Sequence, residues 1–151
     1  MNEDFRDILE LLIQHDADFV VVGAHALAVH GAARSTGDID LFVRPTIENA
    51  ERVCAALRDF GAPLRAHKVG PRELSTRGNV YQLGLPPRRI DILTEIDGVS
   101  FDQAWSGRVK VSASGLLIPF LGRKELVQNK LASGRAKDRV DVALLEEAET
   151  P

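Results

Sequence analysis

The chain has 151 residues, 44% of them hydrophobic and 27% charged, with a net charge of −3. That length suits one domain burying roughly 70% of its unfolded surface, and the charge argues against a protein that grips nucleic acid through bulk positive potential. Cys54 is the single cysteine, which excludes an internal disulfide and a cysteine-based zinc site. The opening MNEDFRDILELL lacks the basic start and long apolar core of a signal peptide. No apolar run reaches membrane-span length, so a cytoplasmic protein without a membrane partner is expected.

Apolar residues at Phe5, Ile8, Leu9, Leu12 and Ile13 recur at spacings of three and four, which predicts an amphipathic helix over 3–15. DFVVVG, 18–23, reads as a buried strand ending in glycine, and AHALAVHG as a short helix stopped at Gly31. DIDLFV, 38–43, is a second strand. Pro45 and Thr46 open a helix that runs to Phe60 and ends at Gly61. Residues 62–78 are basic and rich in turn formers and are expected to be mostly loop. Strands follow in NVYQLGL, in 88–96, in RVKVSA and in GLLIPF, with a helical turn in FDQAWSG. Two helices close the chain, 122–132 and 136–148, separated at Ser133-Gly134. This order predicts an α/β (α+β) fold, a mixed sheet flanked by helices. Residues 1–115 are expected to form the sheet core and 116–151 a helical segment packed on it.

Asp is depleted in strands, and like charges on one face repel, yet Asp38 and Asp40 open the second strand. Alternation puts them on one face with Phe42, while Ile39, Leu41 and Val43 take the other. RRIDILTE repeats the pattern, with Asp91 sharing a face with Leu93. If the two strands are neighbours, three carboxylates converge and need a counterion. Mg²⁺ suits such hard oxygen ligands and keeps positions open for substrate phosphates. Two such ions roughly 4 Å apart would clamp the attacking and leaving oxygens of a phosphoryl or nucleotidyl displacement. A solvated strand face is the ordinary meaning of an isolated Asp-x-Asp. The preceding strand–Gly–helix adds to the case, because Gly23 lets a phosphate approach the backbone at the start of a helix. Arg34 and Thr36, in the turn between, are placed to hold phosphate oxygens; an exposed turn residue is the alternative for Arg34.

Gly23-Ala24, the spacing to Asp38-Ile39-Asp40 and the later Asp91 together resemble the nucleotidyltransferase superfamily that includes DNA polymerase β. HGAARSTGDIDLFV is most similar to the small bacterial branch near the abortive-infection and toxin–antitoxin nucleotidyltransferases. KLASGRAKDRVDVALLE resembles the closing helices of that branch, with Lys130, Lys137, Asp138 and Asp141 at matching places. The resemblance implies Mg²⁺- or Mn²⁺-dependent transfer of an NMP from an NTP to a hydroxyl. The acceptor it implies is a tRNA or other RNA end, a protein or a small molecule, with a toxin or antitoxin as protein partner. Asp38, Asp40 and Asp91 would then hold the metal, and Asp91 would help deprotonate the acceptor. Gly23 and Ala24 would seat the triphosphate, and Lys130 or Lys137 would neutralise it. Ala24 departs from the serine that many members carry. That departure leaves open a second reading, an inactive antitoxin or partner-binding module that kept the fold.

In the last helix, Lys137 and Asp141 sit at the spacing of a helical ion pair. Six basic residues between Arg123 and Arg139 offer either a phosphate-attracting surface or a solvated helical face. His25 is a candidate to approach a nucleotide, and Tyr81 and Trp105 are candidates to stack on a base. Cys54 reads as a small buried apolar residue.

Overall fold

The computed structural model describes residues 1–32 and 37–149. Helix α1 (Glu3–Gln14) is capped by Asn2, whose side chain accepts from the Phe5 N–H, and it buries Phe5, Ile8, Leu9 and Leu12. Strand β1 (Phe19–Val22) and the short helix α2 (Gly23–Val29) follow, then strand β2 (Ile39–Val43) and helix α3 (Ile47–Phe60). Residues 62–78, expected as loop, contain two single-turn helices, α4 (Leu64–His67) and α5 (Pro71–Leu74). Four residues are too few to show helical periodicity, and only Leu64 and Leu74 point inward. Strands β3 (Val80–Leu83) and β4 (Ile90–Leu93) precede helix α6 (Phe101–Ser106). Strands β5 (Val109–Ala113) and β6 (Leu116–Phe120) then lead to helices α7 (Arg123–Ser133) and α8 (Ala136–Glu149).

The six strands form one mixed sheet in the order β3-β4-β2-β1-β6-β5. β2 pairs antiparallel with β1 and parallel with β4. The boundary expected after residue 115 falls inside the β5–β6 hairpin, and the sheet continues to Phe120. Ile39, Leu41, Val43, Ile90 and Ile92 are buried together with Val53, Cys54 and Leu57 of α3. Register follows from that burial. A one-residue slip of β2 would turn Asp40 into this apolar layer and Leu41 out of it.

One buried polar residue holds the entry to α3. Asn49, 1% exposed, accepts from the Asp18 N–H at 2.7 Å and donates to the carbonyls of Asp18 and Arg44, both at 3.0 Å. It joins the start of β1 to the end of β2. Asn49→Ala would leave the Asp18 N–H without its partner and take one of two donors from the carbonyls of Asp18 and Arg44, and the expected loss is about 1–3 kcal/mol. The check is a lower urea midpoint at unchanged slope.

Candidate active site

The β2–β4 register sets Asp40 opposite Asp91 and Phe42 opposite Leu93. The expected neighbourhood of the two strands is therefore present, and the three carboxylates meet at one end of one sheet face. Asp38 precedes β2 and accepts from the backbone N–H of Arg89 at 3.0 Å. Val22, next to Asp40 across the β1–β2 ladder, leads into Gly23, which has φ +70°. A Cβ on Gly23 would run into the Asp40 carboxylate. The bare Cα thus makes room for Asp40, a reason for glycine additional to the phosphate approach expected from the sequence.

Arg89 is the resident cation. Its Nε lies 2.8 Å from Asp91 Oδ1, and its Nη2 lies 3.2 Å from Asp91 Oδ2 and 3.2 Å from Asp38 Oδ2. Among the described residues Asp40 has no such partner. Burial first, then a hydrogen bond with Asp91 and the charges of Asp91 and Asp38, push its carboxyl up to about 7, with Arg89 pulling the other way. Among the described residues no three His, Cys, Asp or Glu side chains are arranged to hold a metal ion. Asp38 and Asp91 turn toward Arg89 instead. The donor chemistry nevertheless fits a hard divalent cation, because every donor is a carboxylate oxygen and the one lacking a cation holds a proton that a metal would displace.

Beside the acids lies a cavity of about 490 Å³, lined by Gly23, Ala24 and Asp40 on the sheet side and by Lys130 of α7, Arg135 of the link and Lys137 of α8. Gly23, Ala24, Lys130 and Lys137, four of the residues expected to contact phosphate, thus line one space. Asp141 lies behind it. The helical pair expected between Lys137 and Asp141 gives way to Lys130, whose Nζ is 3.2 Å from Asp141 Oδ2 and 3.4 Å from Asp138 Oδ1. Asp138 and Asp141 are fully buried. Burial alone would raise the Asp138 carboxyl, yet hydrogen bonds from Arg135 and Ser133 and the charge of Lys130 hold it well below the usual range. Arg34 and Thr36 lie outside the described residues.

The family described as nucleotidyltransferase of unknown function (DUF6036) matches residues 3–147. The chain belongs to this nucleotidyltransferase family. Its fold is similar to that of TM1012 from Thermotoga maritima, a protein that carries the nucleotidyltransferase name. That match has a TM-score of 0.60 and 16% identity, over 95% of this chain and 90% of the other. It is also similar to the lincosamide antibiotic adenylyltransferase LnuA in its lincomycin-bound form, with a TM-score of 0.55 and 13% identity, over 98% of each chain. No curated protein matches this nucleotidyltransferase-family chain.

Several side chains with a candidate role turn inward instead. Tyr81 Oη is 2.7 Å from His67 Nδ1. Trp105 is stacked on Phe101 and covered by the Arg108 guanidinium, and His25 packs edge-on to Phe5. Arg123 donates to the carbonyls of Leu145 and His30, tying α7 to α8 and α2. Arg89 has a signal in the sequence as well, since it stands two residues before Asp91 and so shares its strand face.

A carboxyl whose folded pKa lies above its unfolded value of 3.8 keeps a proton that the unfolded chain has released. Stability contributed by that proton is present below about pH 4 and is lost as pH rises to about 7. Asp40→Asn removes the loss. In chelator-treated buffer at pH 8 the variant is expected to be more stable by about 2 kcal/mol, or roughly 4–8 °C in melting temperature. The difference should vanish near pH 4, as calorimetry at both values would show.

Proposed function

We propose that the chain transfers an NMP from an NTP to a hydroxyl acceptor and releases pyrophosphate. The observation that carries the reading is the pairing of Asp40 with Asp91, beside Asp38, at the mouth of a cavity large enough for a nucleotide and walled by Lys130, Arg135 and Lys137. The acceptor oxygen forms a bond to the α-phosphorus, and the bond from that phosphorus to the oxygen leading to the β-phosphorus breaks. Pyrophosphate leaves with the electron pair, and the hydroxyl proton passes to the Asp91 carboxylate. Asp38, Asp40 and Asp91 would hold Mg²⁺ or Mn²⁺, which supplies charge neutralisation for the transferring and leaving groups. The basic side chains across the cavity orient the triphosphate, and most of the rate gain comes from positioning and charge.

Fold similarity to an adenylyltransferase whose structure holds lincomycin supports a small-molecule acceptor over an RNA end or a protein. A bacterial toxin–antitoxin or phage-defence setting rests on the resemblance of residues 30–43 alone.

A second reading has its own observation. Arg89 already neutralises Asp38 and Asp91, and Ala24 carries no hydroxyl for a phosphate. Both suit a partner-binding module that kept the fold without turnover. Incubation with Mg²⁺ and each α-labelled NTP over candidate acceptors separates the two. The enzyme reading expects label transfer that falls by about 10³-fold or more in Asp38→Ala and Asp40→Ala. Transfer that survives both substitutions would overturn it. Absence of transfer together with no Mg²⁺-dependent ATP or GTP binding in calorimetry would favour the binding module.

A further inference from the structure

A second cavity, about 730 Å³, opens on the same sheet face, lined among others by Phe42, Arg44, Glu95 and Phe101. It adjoins the first, because Glu95, Ile96 and Asp97 line both. Side chains alternate along a strand, so a step of two residues from Asp40 and Asp91 reaches Phe42 and Leu93. That step is about 7 Å. The second cavity therefore begins one row of side chains from the acids, within the span of a small molecule.

The divider between the cavities is fixed to α7. Asn129 Nδ2 donates to the Asp97 carbonyl at 2.9 Å, and Gln128 Nε2 donates to the Gly98 carbonyl at 2.5 Å. Gly98, at φ +71°, lies so close to α7 that a Cβ would strike Ala132. The wall of the second cavity is apolar where Phe42 and Phe101 meet edge to face at 5.1 Å. Arg44 is already engaged, 2.7 Å from both Asp18 and Asp102 and 4.7 Å from the Phe101 ring centre. Glu95 and Asp97 are exposed, and among the described residues neither carboxylate is held in an ion pair. Arg77, also exposed, faces them from the second cavity, and Lys130, Arg135 and Lys137 face them from the first.

We infer that this second cavity is the acceptor site and that it takes a compact hydroxylated molecule bearing a protonated amine. The inference rests on the nucleotidyl-transfer reading and narrows its acceptor. The ammonium would sit on Glu95 and Asp97, the carbon skeleton against Phe42 and Phe101, and a hydroxyl would point back along the sheet to the acids. Attack forms the oxygen–phosphorus bond, pyrophosphate departs, and the amine takes no part in the step. A nucleic-acid end would bring its phosphates against the same two carboxylates.

The test uses the full chain with Mg²⁺ and a non-hydrolysable ATP analogue, followed by saturation-transfer NMR. The probes are glucosamine, glucose, glucose 6-phosphate and a hexaadenylate, and analogue binding is recorded in the same tube. Glucosamine is expected to bind roughly fivefold or more tightly than glucose. The double variant Glu95→Gln, Asp97→Asn, at two exposed positions, should bring it down to the level of glucose. Equal binding of the two sugars, preference for the phosphorylated sugar or the hexaadenylate, or an undiminished preference in the double variant each overturns the inference. Failure of the ATP analogue to bind, with the glucosamine preference intact, supports the amine site and overturns the nucleotidyl-transfer reading.

Discussion

Two like charges face each other across the parallel ladder between β2 and β4, and the fold is arranged around keeping them there. Asp40 and Asp91 are register partners, so neither can leave without breaking the sheet. The other face of the same strands is fully apolar and packed beneath α3, so neither strand can slip by one residue. Repulsion between carboxylates grows as water is withdrawn, and Asp91 is only 6% exposed. Two devices answer it. Arg89 binds Asp91 through two nitrogens and reaches Asp38 with one of them, and Asp40 retains its proton to near neutrality. Gly23 belongs to the same solution, since any side chain there would collide with the Asp40 carboxylate.

A second buried charge cluster has a different task. Lys130 on α7 meets Asp138 and Asp141 on α8, and Arg135 closes on Asp138 at 2.8 Å. α7 and α8 have few large buried apolar residues, Leu126 on one and Val142 and Leu145 on the other. Their docking therefore leans on this network, in which removing one partner leaves the others buried and uncompensated. Lys130 is thus a fixed part of the frame as well as a wall of the cavity. Three cations face the cavity, with Asp138 and Asp141 behind them and Glu95 and Asp97 also lining it, so among the described residues no surplus positive charge remains. Lys137, exposed at the rim, is the one of the three for which no carboxylate partner stands within 4 Å among the described residues.

Period and punctuation in the chain foretold the order of its larger elements, because the central strands are short apolar runs buried on both faces and α1 and α3 carry an apolar stripe. Asp38, Asp40 and Asp91 stood out as acids in strands. Most of what escaped was tertiary in origin. Asn49 lies in a helix and looks like an ordinary polar position until β1 and the end of β2 are brought beside it. Arg89 was visible as a neighbour of Asp91, but its hold on Asp38 depends on β2 lying alongside β4. Lys137 and Asp141 have helical pairing distance along α8, yet the close approach of α7 gives Asp141 a buried ammonium instead. Tyr81 looked available because its partner His67 lies 14 residues away, whereas Trp105 has both partners close in sequence, Phe101 in the same helix and Arg108 just after it, a spacing that could have revealed them.

The balance between Arg89 and an incoming cation decides how far the chemistry can go. The Arg89 side chain is 28% exposed, but it holds the nearly buried Asp91 through two nitrogens, which is the strong form of such a pair. A divalent ion would have to displace that contact, with twice the charge to do so. The protonated Asp40 points the same way, because a cation that ionises it removes the most unfavourable group in the site. Without that exchange the acids remain a self-neutralised corner of the sheet, and the two cavities beside them can bind but not react. Both solved structures share the architecture at 16% and 13% identity, a level at which fold carries over and side-chain chemistry need not. On the proposed nucleotidyl-transfer reading, turnover would depend on one local competition, between a guanidinium and a metal ion for the same two carboxylates.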